Sequence, residues 1–181
     1  MKRVRLFYKD TSDIVGSEGF SIVRLVDTDE QRVICVICDQ NMTAQLSIRH
    51  NRVPGREQML PEVLSSMLLD EGQNDLELMV YDVLDGQYCV SLLNRRTLSL
   101  KSIRMSDAVL LQYISKIPLY MDEGLMARQC IPYKPDTSGL SIPINTLDTE
   151  WLNRELKRAI EVEDYRLAAN LNEELKKRTQ S

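Results

Sequence analysis

The sequence predicts an α+β fold: a twisted, mixed and largely antiparallel sheet with packed helices, followed by a linker and a C-terminal α-helical hairpin. Three observations predict it. Apolar residues alternate along short runs in the N-terminal third. An Asp-Gly pair at 85–86 separates two strand-like runs. From residue 148 onward, apolar residues recur only at helical spacing. We therefore expect an α+β domain over 1–131, a linker over 132–147 and a hairpin over 148–181.

The N-terminal third is predicted to be mostly sheet. Val4, Leu6 and Tyr8 alternate with charged positions, and two apolar runs over 20–26 and 32–38 are bounded by polar turn residues. Polar residues 39–41 can cap a short helix over 42–48.

A second helix has clearer boundary signals. Pro61 suits a first helical position and Gly72 suits the stop, because proline tolerates the start of a helix and glycine its end. Leu64, Met67 and Leu68 form one apolar stripe between them.

An antiparallel meander follows this helix. Runs 76–83 and 87–93 flank the Asp-Gly turn, and residues 94–96 lead into a third strand over 97–103. After the third strand the apolar residues recur at helical spacing, which predicts a helix with Ser106 as its N-terminal cap. A strand over 117–121 and a short helix opened by Asp122 or Glu123 complete the predicted domain.

Composition sets limits on partners and location. The 181 residues carry a formal net charge of −4, which argues against a protein wrapped globally in nucleic acid but leaves a local basic groove open. No apolar run approaches the roughly 18 residues of a membrane span, and the charged start lacks the apolar stretch of a signal peptide. We expect a cytoplasmic chain with no membrane partner.

The spacing Cys35-Val36-Ile37-Cys38 invites a metal or redox interpretation, which we reject. Metal sites want a second Cys or His pair, and the chain has one His. The two cysteines lie in a buried strand run, where a separation of three residues directs their side chains to opposite faces.

The junction at 103–107 is the main candidate catalytic site. A strand ends there and a helix begins, so first-turn N–H groups favour an anion such as phosphate. Arg104 can clamp phosphate, Ser106 can cap the helix, and Asp107 can act as a general base or a metal ligand. The structural alternative is that Ser106 and Asp107 only stabilise the helix start.

A second candidate is a basic patch for nucleic acid. Arg49, His50, Arg52 and Arg56 are close in sequence and could bind phosphates. In the alternative interpretation, His50 is an ordinary surface-loop residue.

The C-terminal hairpin is predicted to need a protein partner. Two helices of this length bury little against each other, and isolated helices near 12 residues are marginal in water. The apolar residues expected to contact that partner are Leu152, Leu156, Ala168, Leu171 and Leu175.

The region from about residue 32 to 126 resembles the bifunctional nuclease domain, a bacterial and plant family described as acting on both DNA and RNA. Three segments carry the resemblance, in the family's order and spacing: Val80-Tyr81-Asp82-Val83-Leu84-Asp85-Gly86-Gln87-Tyr88-Cys89-Val90, Ile103-Arg104-Met105-Ser106-Asp107-Ala108-Val109-Leu110-Leu111, and Ile117-Pro118-Leu119-Tyr120-Met121. The family pattern at the middle segment is Asp-Ala-Arg-Pro-Ser-Asp-Ala.

The resemblance implies hydrolysis of phosphodiesters in DNA or RNA, with a divalent ion such as Mg²⁺ or Mn²⁺. Asp107, Asp122 and Glu123 are then the candidate metal ligands. The chain departs from the pattern: Ser102 and Met105 stand where the family has Asp and Pro, and Met42-Thr43 supplies no carboxylate where the family has Glu-Ala. These departures favour the alternative of a non-catalytic nucleic-acid-binding or regulatory module.

The C-terminal segment resembles the UVR motif, the hairpin through which the excision-repair proteins UvrB and UvrC contact each other. Its Asp-aromatic-x-x-Ala-Ala core is present as Asp164, Tyr165, Ala168 and Ala169. This resemblance implies a further alternative, an adaptor that recruits a repair or proteolysis partner through the hairpin while the α+β domain forms a homo-oligomer.

Overall fold

The computed structural model describes residues 2–13, 20–70, 75–135, 144 and 147–179. Their strands form one sheet, and helices pack against it. The strands are β1 (Arg3–Asp13), β2 (Phe20–Asp27), β3 (Arg32–Asp39), β4 (Leu76–Leu84), β5 (Gln87–Asn94), β6 (Ser99–Ile103), β7 (Leu119–Asp122) and β8 (Ile131–Pro132). The helices are α1 (Gln40–His50), α2 (Leu60–Asp70), α3 (Met105–Ser115), α4 (Glu123–Gln129), α5 (Thr149–Glu161) and α6 (Tyr165–Thr179), with a 3-10 turn at Arg56–Gln58.

The sheet has eight strands in the order β6-β5-β4-β7-β1-β2-β3-β8. Every neighbouring pair is antiparallel except β4 and β7, which run parallel. The α+β class with a mixed, largely antiparallel sheet is confirmed.

The hairpin between β4 and β5 forms as its sequence predicts. Asp85 and Gly86 have φ of 48° and 75°, the left-handed values that a two-residue turn requires. The turn keeps Leu84 opposite Gln87, which places Tyr88 one position into β5.

Helix α3 is held across the sheet by its apolar side and by one polar contact. Ala108 and Val109 are fully buried in the main core. The side-chain amide of Gln112 donates to the backbone carbonyl of Leu6 at 2.5 Å, which fixes α3 over β1. These contacts place the start of α3 near the last residues of β3 and the first residues of β5.

The apolar stripe of helix α2 packs only in part against the core. Leu64 and Met67 of the predicted stripe are 49% and 61% exposed, while Ser65 is buried and Leu68 packs partly against the core. The helix contacts α3 through the Ser65 side, so the larger residues of the stripe face solvent. It also begins at Leu60, one residue before the predicted position, and Gly72 lies outside the described residues.

The C-terminal helices form an antiparallel hairpin over 148–179. The carboxylate of Asp148 accepts from the N–H of Trp151 at 2.7 Å, and that of Asp164 accepts from the N–H of Leu167 at 3.0 Å. Both acidic residues therefore cap helices, as predicted for Asp164. No described helix is both long enough and apolar enough to cross a membrane.

Candidate functional site

Three helices begin at the rim of one cleft of about 370 Å³. The residue that precedes each helix lines it: Asp39 before α1, Arg104 before α3 and Asp148 before α5. A helix N-terminus carries a partial positive charge of about half an elementary charge, so a helix start without an acidic cap favours a negatively charged group.

Two of these helix starts are already capped, and the third is not. The carboxylate of Asp39 accepts from the N–H of Met42 at 2.8 Å, and Asp148 caps α5 in the same way. At α3 the capping residue is Arg104, whose side chain cannot accept a hydrogen bond from the helix. The predicted cap at Ser106 is wrong, because α3 begins at Met105 and Ser106 already lies inside its first turn.

Arg104 and Asp107 form an exposed ion pair beside this open helix start. The Nε atom of Arg104 donates to Oδ2 of Asp107 at 2.7 Å, and Nη2 donates to Oδ1 at 3.3 Å. This hydrogen bonding raises the pKa of Arg104, which stays charged. The arginine side chain is 81% exposed, so its guanidinium can reach a ligand at the rim.

Two polar atoms at the same cleft are buried without a hydrogen-bond partner among the described residues. They are the hydroxyl of Tyr88 and the indole Nε1 of Trp151. Tyr88 is 9% exposed, and burial raises the pKa of its hydroxyl, which therefore remains a neutral donor. An unpaired buried donor costs about 1–3 kcal/mol. Sequence reasoning missed both residues, since nothing local to either marks the cleft.

The structure does not bring the predicted metal ligands together. Asp122 caps α4 by accepting from the N–H of Leu125 at 3.0 Å, and Glu123 pairs with Arg32 at 2.9 Å. Arg32 and Asp39 lie at opposite ends of β3, about 23 Å apart at 3.3 Å per residue. Asp107 lies at the Asp39 end, so it cannot share an ion with Glu123.

The described residues also contain no group of three His, Cys, Asp or Glu side chains that could hold a metal ion. The residues present therefore do not fit the Mg²⁺ or Mn²⁺ site that the nuclease resemblance implies.

The predicted basic patch divides into one structural arginine and three surface residues. Arg49 is 5% exposed, and its guanidinium binds Glu62 at 2.7 Å and the backbone carbonyl of Gln45 at 2.7 Å. His50 and Arg52 are exposed, and Arg56 lies 3.5 Å from Glu57. Arg49 is thus committed to holding α1 against α2 and is not available to a phosphate.

The residues predicted to contact a protein partner lie largely inside the hairpin. Leu152 and Leu171 are 0% and 2% exposed, and Leu156, Ala168 and Leu175 pack partly buried around them. The apolar side chains that the hairpin does expose are Ile160, Val162, Tyr165 and Leu167, which lie at or near its tip. Tyr165, the aromatic residue of the Asp-aromatic-x-x-Ala-Ala core, is 69% exposed.

Cys35 and Cys38 are free and buried, as the strand interpretation requires. Both line the cleft. Burial raises the pKa of Cys35 to about 11 and that of Cys38 to about 12, so both stay protonated near neutral pH. Neither has the thiolate character of a metal ligand or nucleophile.

No family model matches the chain. A search of curated proteins likewise finds no significant match.

Proposed function

We propose that the chain binds the phosphate groups of DNA or RNA at the cleft where α1, α3 and α5 begin. The observation that supports this proposal is the open start of α3, whose capping position carries the exposed cation Arg104. Backbone N–H groups at a helix start and an arginine fork are both complementary to phosphate oxygens. The sequence resemblance to bifunctional nucleases supports nucleic acid as the source of the phosphate.

The binding test compares two arginine variants that differ in position. Arg104→Ala should weaken binding of a labelled oligonucleotide and reduce the slope of log K against log salt concentration by about one, the loss of one phosphate contact. Arg158→Ala is the matched control, because Arg158 is also exposed and also pairs with an acidic residue three positions away, Glu155. Fluorescence anisotropy at salt concentrations from about 50 to about 200 mM would measure the affinity and the salt slope of both variants. Phosphate contacts contribute strongly to affinity in roughly this range. Equal slopes for wild type and Arg104→Ala would contradict the proposal.

Hydrolysis at the same cleft is the second candidate function. It is favoured by Asp107, whose carboxylate lies within hydrogen-bond distance of Arg104 and could serve as a general base beside a cationic stabiliser. Asp107→Asn should then abolish cleavage of DNA or RNA with little change in melting temperature, because Asn keeps the size but cannot accept a proton as a base. Gel assays in EDTA and in Mg²⁺ or Mn²⁺ separate the two functions. A wild-type chain that binds but cleaves neither polymer in any condition is a binding module.

A protein-binding role for the hairpin rests on a separate observation. Ile160, Val162, Tyr165 and Leu167 expose apolar surface near the tip, and the resemblance to the UVR motif supports a protein as the partner. We propose this adaptor role alongside nucleic-acid binding, with homo-oligomerisation as one form it could take.

A further inference from the structure

The cleft is closed on one side by the C-terminal hairpin itself. Asp148 and Trp151 of α5 line it together with Arg104 and Tyr88 of the α+β body. The hairpin is thus positioned over the site to which the proposed function assigns phosphate.

The hairpin is held there weakly. Helices α5 and α6 pack mainly on each other and contact the strands and helices of the body sparsely. Among the described residues, Ile37 is the one body side chain that joins the apolar cluster of the hairpin. A groove of about 990 Å³ remains between α6, α5 and the β4–β5 turn, whereas a stable protein interface is packed as densely as a core.

Two polar contacts between the described residues of the hairpin and the body lie at the surface. The hydroxyl of Thr149 donates to Asp85 at 2.6 Å, and Arg178 approaches the same carboxylate at 3.3 Å. Asp85 is 70% exposed, and ion pairs at such positions contribute little because water screens them.

The docked hairpin also leaves a hydrogen bond unmade. Trp151 lines the cleft, and its Nε1 is buried without a partner among the described residues. Water or a ligand would satisfy this donor once the hairpin moved away. Pro135 and Leu147 are twelve positions apart in the sequence, and a chain of that length spans at most about 40 Å, enough to keep a displaced hairpin tethered.

From these contacts we propose that the α5–α6 hairpin is a displaceable cover over the cleft, and that its removal opens the cleft to a phosphate-bearing ligand. The ligand in this inference rests on the proposed function, but the movement of the hairpin does not. A protein that binds the hairpin would then open the cleft, because a partner that favours the undocked state shifts the population toward it.

The test uses a glycine at which the docked hairpin approaches the body. A Cβ added at Gly86 would overlap the backbone carbonyl of Leu147, the residue that leads into α5. Gly55 is the matched control: its φ of +84° resembles the +75° of Gly86, and nothing lies within 4 Å of an added Cβ. Gly86→Ala and Gly55→Ala therefore carry similar backbone strain, and only the first obstructs docking.

Trp151 reports the position of the hairpin because it is the one tryptophan in the chain. In the full-length protein we expect Gly86→Ala to shift Trp151 emission to longer wavelength and to increase its quenching by acrylamide, and Gly55→Ala to change neither. Arg178→Glu, which brings a second negative charge beside Asp85 without altering the turn, should shift emission in the same direction. If circular dichroism shows that Gly86→Ala is unfolded, Arg178→Glu serves as the variant that tests displacement of the hairpin.

Binding of a labelled oligonucleotide is measured on the same proteins. If the open state is about a tenth of the wild-type population, full opening lowers the apparent Kd by about tenfold. Unchanged Trp151 fluorescence in the folded variants contradicts the proposal that the hairpin is a displaceable cover. A shift in Trp151 fluorescence with unchanged oligonucleotide binding also contradicts the proposal. A shift with weaker binding contradicts it too, because the docked hairpin would then form part of the binding site. A shift with no binding by any form, wild type included, supports hairpin displacement and rejects the nucleic-acid function instead.

Discussion

Arg49 places a guanidinium group at a position that water scarcely reaches. Its guanidinium binds Glu62 and the backbone carbonyl of Gln45, so the charge is paired and partly hydrogen-bonded, although its Nε atom has no partner among the described residues. Such a pair contributes little net stability compared with apolar residues of the same volume, but removing one member leaves the other uncompensated.

We expect Arg49→Met to lower the free energy of unfolding by about 3 kcal/mol, because Glu62 would then stay largely buried without its counter-charge. The double variant Arg49→Met with Glu62→Leu should recover most of that loss. Urea unfolding measures all three proteins, and the exposed Arg52→Ala serves as a control that should stay within about 0.5 kcal/mol of wild type. An Arg49→Met protein as stable as wild type would place Arg49 back among the candidate phosphate ligands.

Local sequence predicted the charged half of the candidate site and missed its buried half. Arg104 and Asp107 are three residues apart at a helix start, a spacing that brings side chains into contact on any helix. Tyr88 and Trp151 are 63 positions apart in the sequence and line the same cleft only because the hairpin docks there. That long-range contact has no signature within either segment.

At the scale of elements, the sequence predicts strands and helices that have strong boundary residues. It predicts less well which face of each element is exposed to solvent. Asp85-Gly86 fixed the β4–β5 turn because few residue pairs adopt left-handed φ in succession. The apolar stripe of α2 is only partly buried, because helical spacing identifies an apolar face but not which neighbour covers it. In the structure Leu64 and Met67 of that stripe are exposed while Ser65 packs inward.

The convergence of three helix starts on one cleft is likewise a property of the assembled elements. The caps at Asp39 and Asp164 could be predicted from residue type, because short acidic side chains accept from first-turn N–H groups. That α1 and α3 begin at the same cleft depends on the packing of α3 against both β3 and β5, and α5 joins them through the docking of the hairpin. No single segment of the sequence encodes these long-range contacts.

The whole molecule should lose stability in alkaline solution. The pKa of Cys35 is raised to about 11 and that of Cys38 to about 12, from 9.0, because both thiols are buried. Above about pH 9 the unfolded chain releases these protons while the folded chain retains them, so the unfolded state gains relative stability as pH rises. Burial raises the pKa of the Tyr88 hydroxyl too, which adds to the same trend at higher pH.

We therefore expect the free energy of unfolding to fall steadily from about pH 9 upward. Urea titrations at pH 7, 9 and 10.5 would measure the fall, and the double variant Cys35→Ala with Cys38→Ala should show a shallower one. The same slope in both proteins would mean that the two thiols are not responsible.

The parallel pairing of β4 with β7 has a consequence for the order in which the chain folds. Strands β1 to β3 are joined by short connections, as are β4 to β6, so each set can form as soon as it leaves the ribosome. The four residues of β7 pair with Arg3–Leu6 on one side and with Leu78–Val80 on the other. Until Leu119–Asp122 is synthesised, the two sets have no strand between them, and the edges of β1 and β4 stay open. Pairing β7 with β1 closes a loop of more than a hundred residues, because Leu6 and Leu119 are 113 positions apart, whereas Leu78 and Leu119 are 41 apart. We therefore expect the β1–β7 pairing to be the slowest step of folding, and chains arrested before residue 119 to expose two sheet edges prone to pairing with other chains.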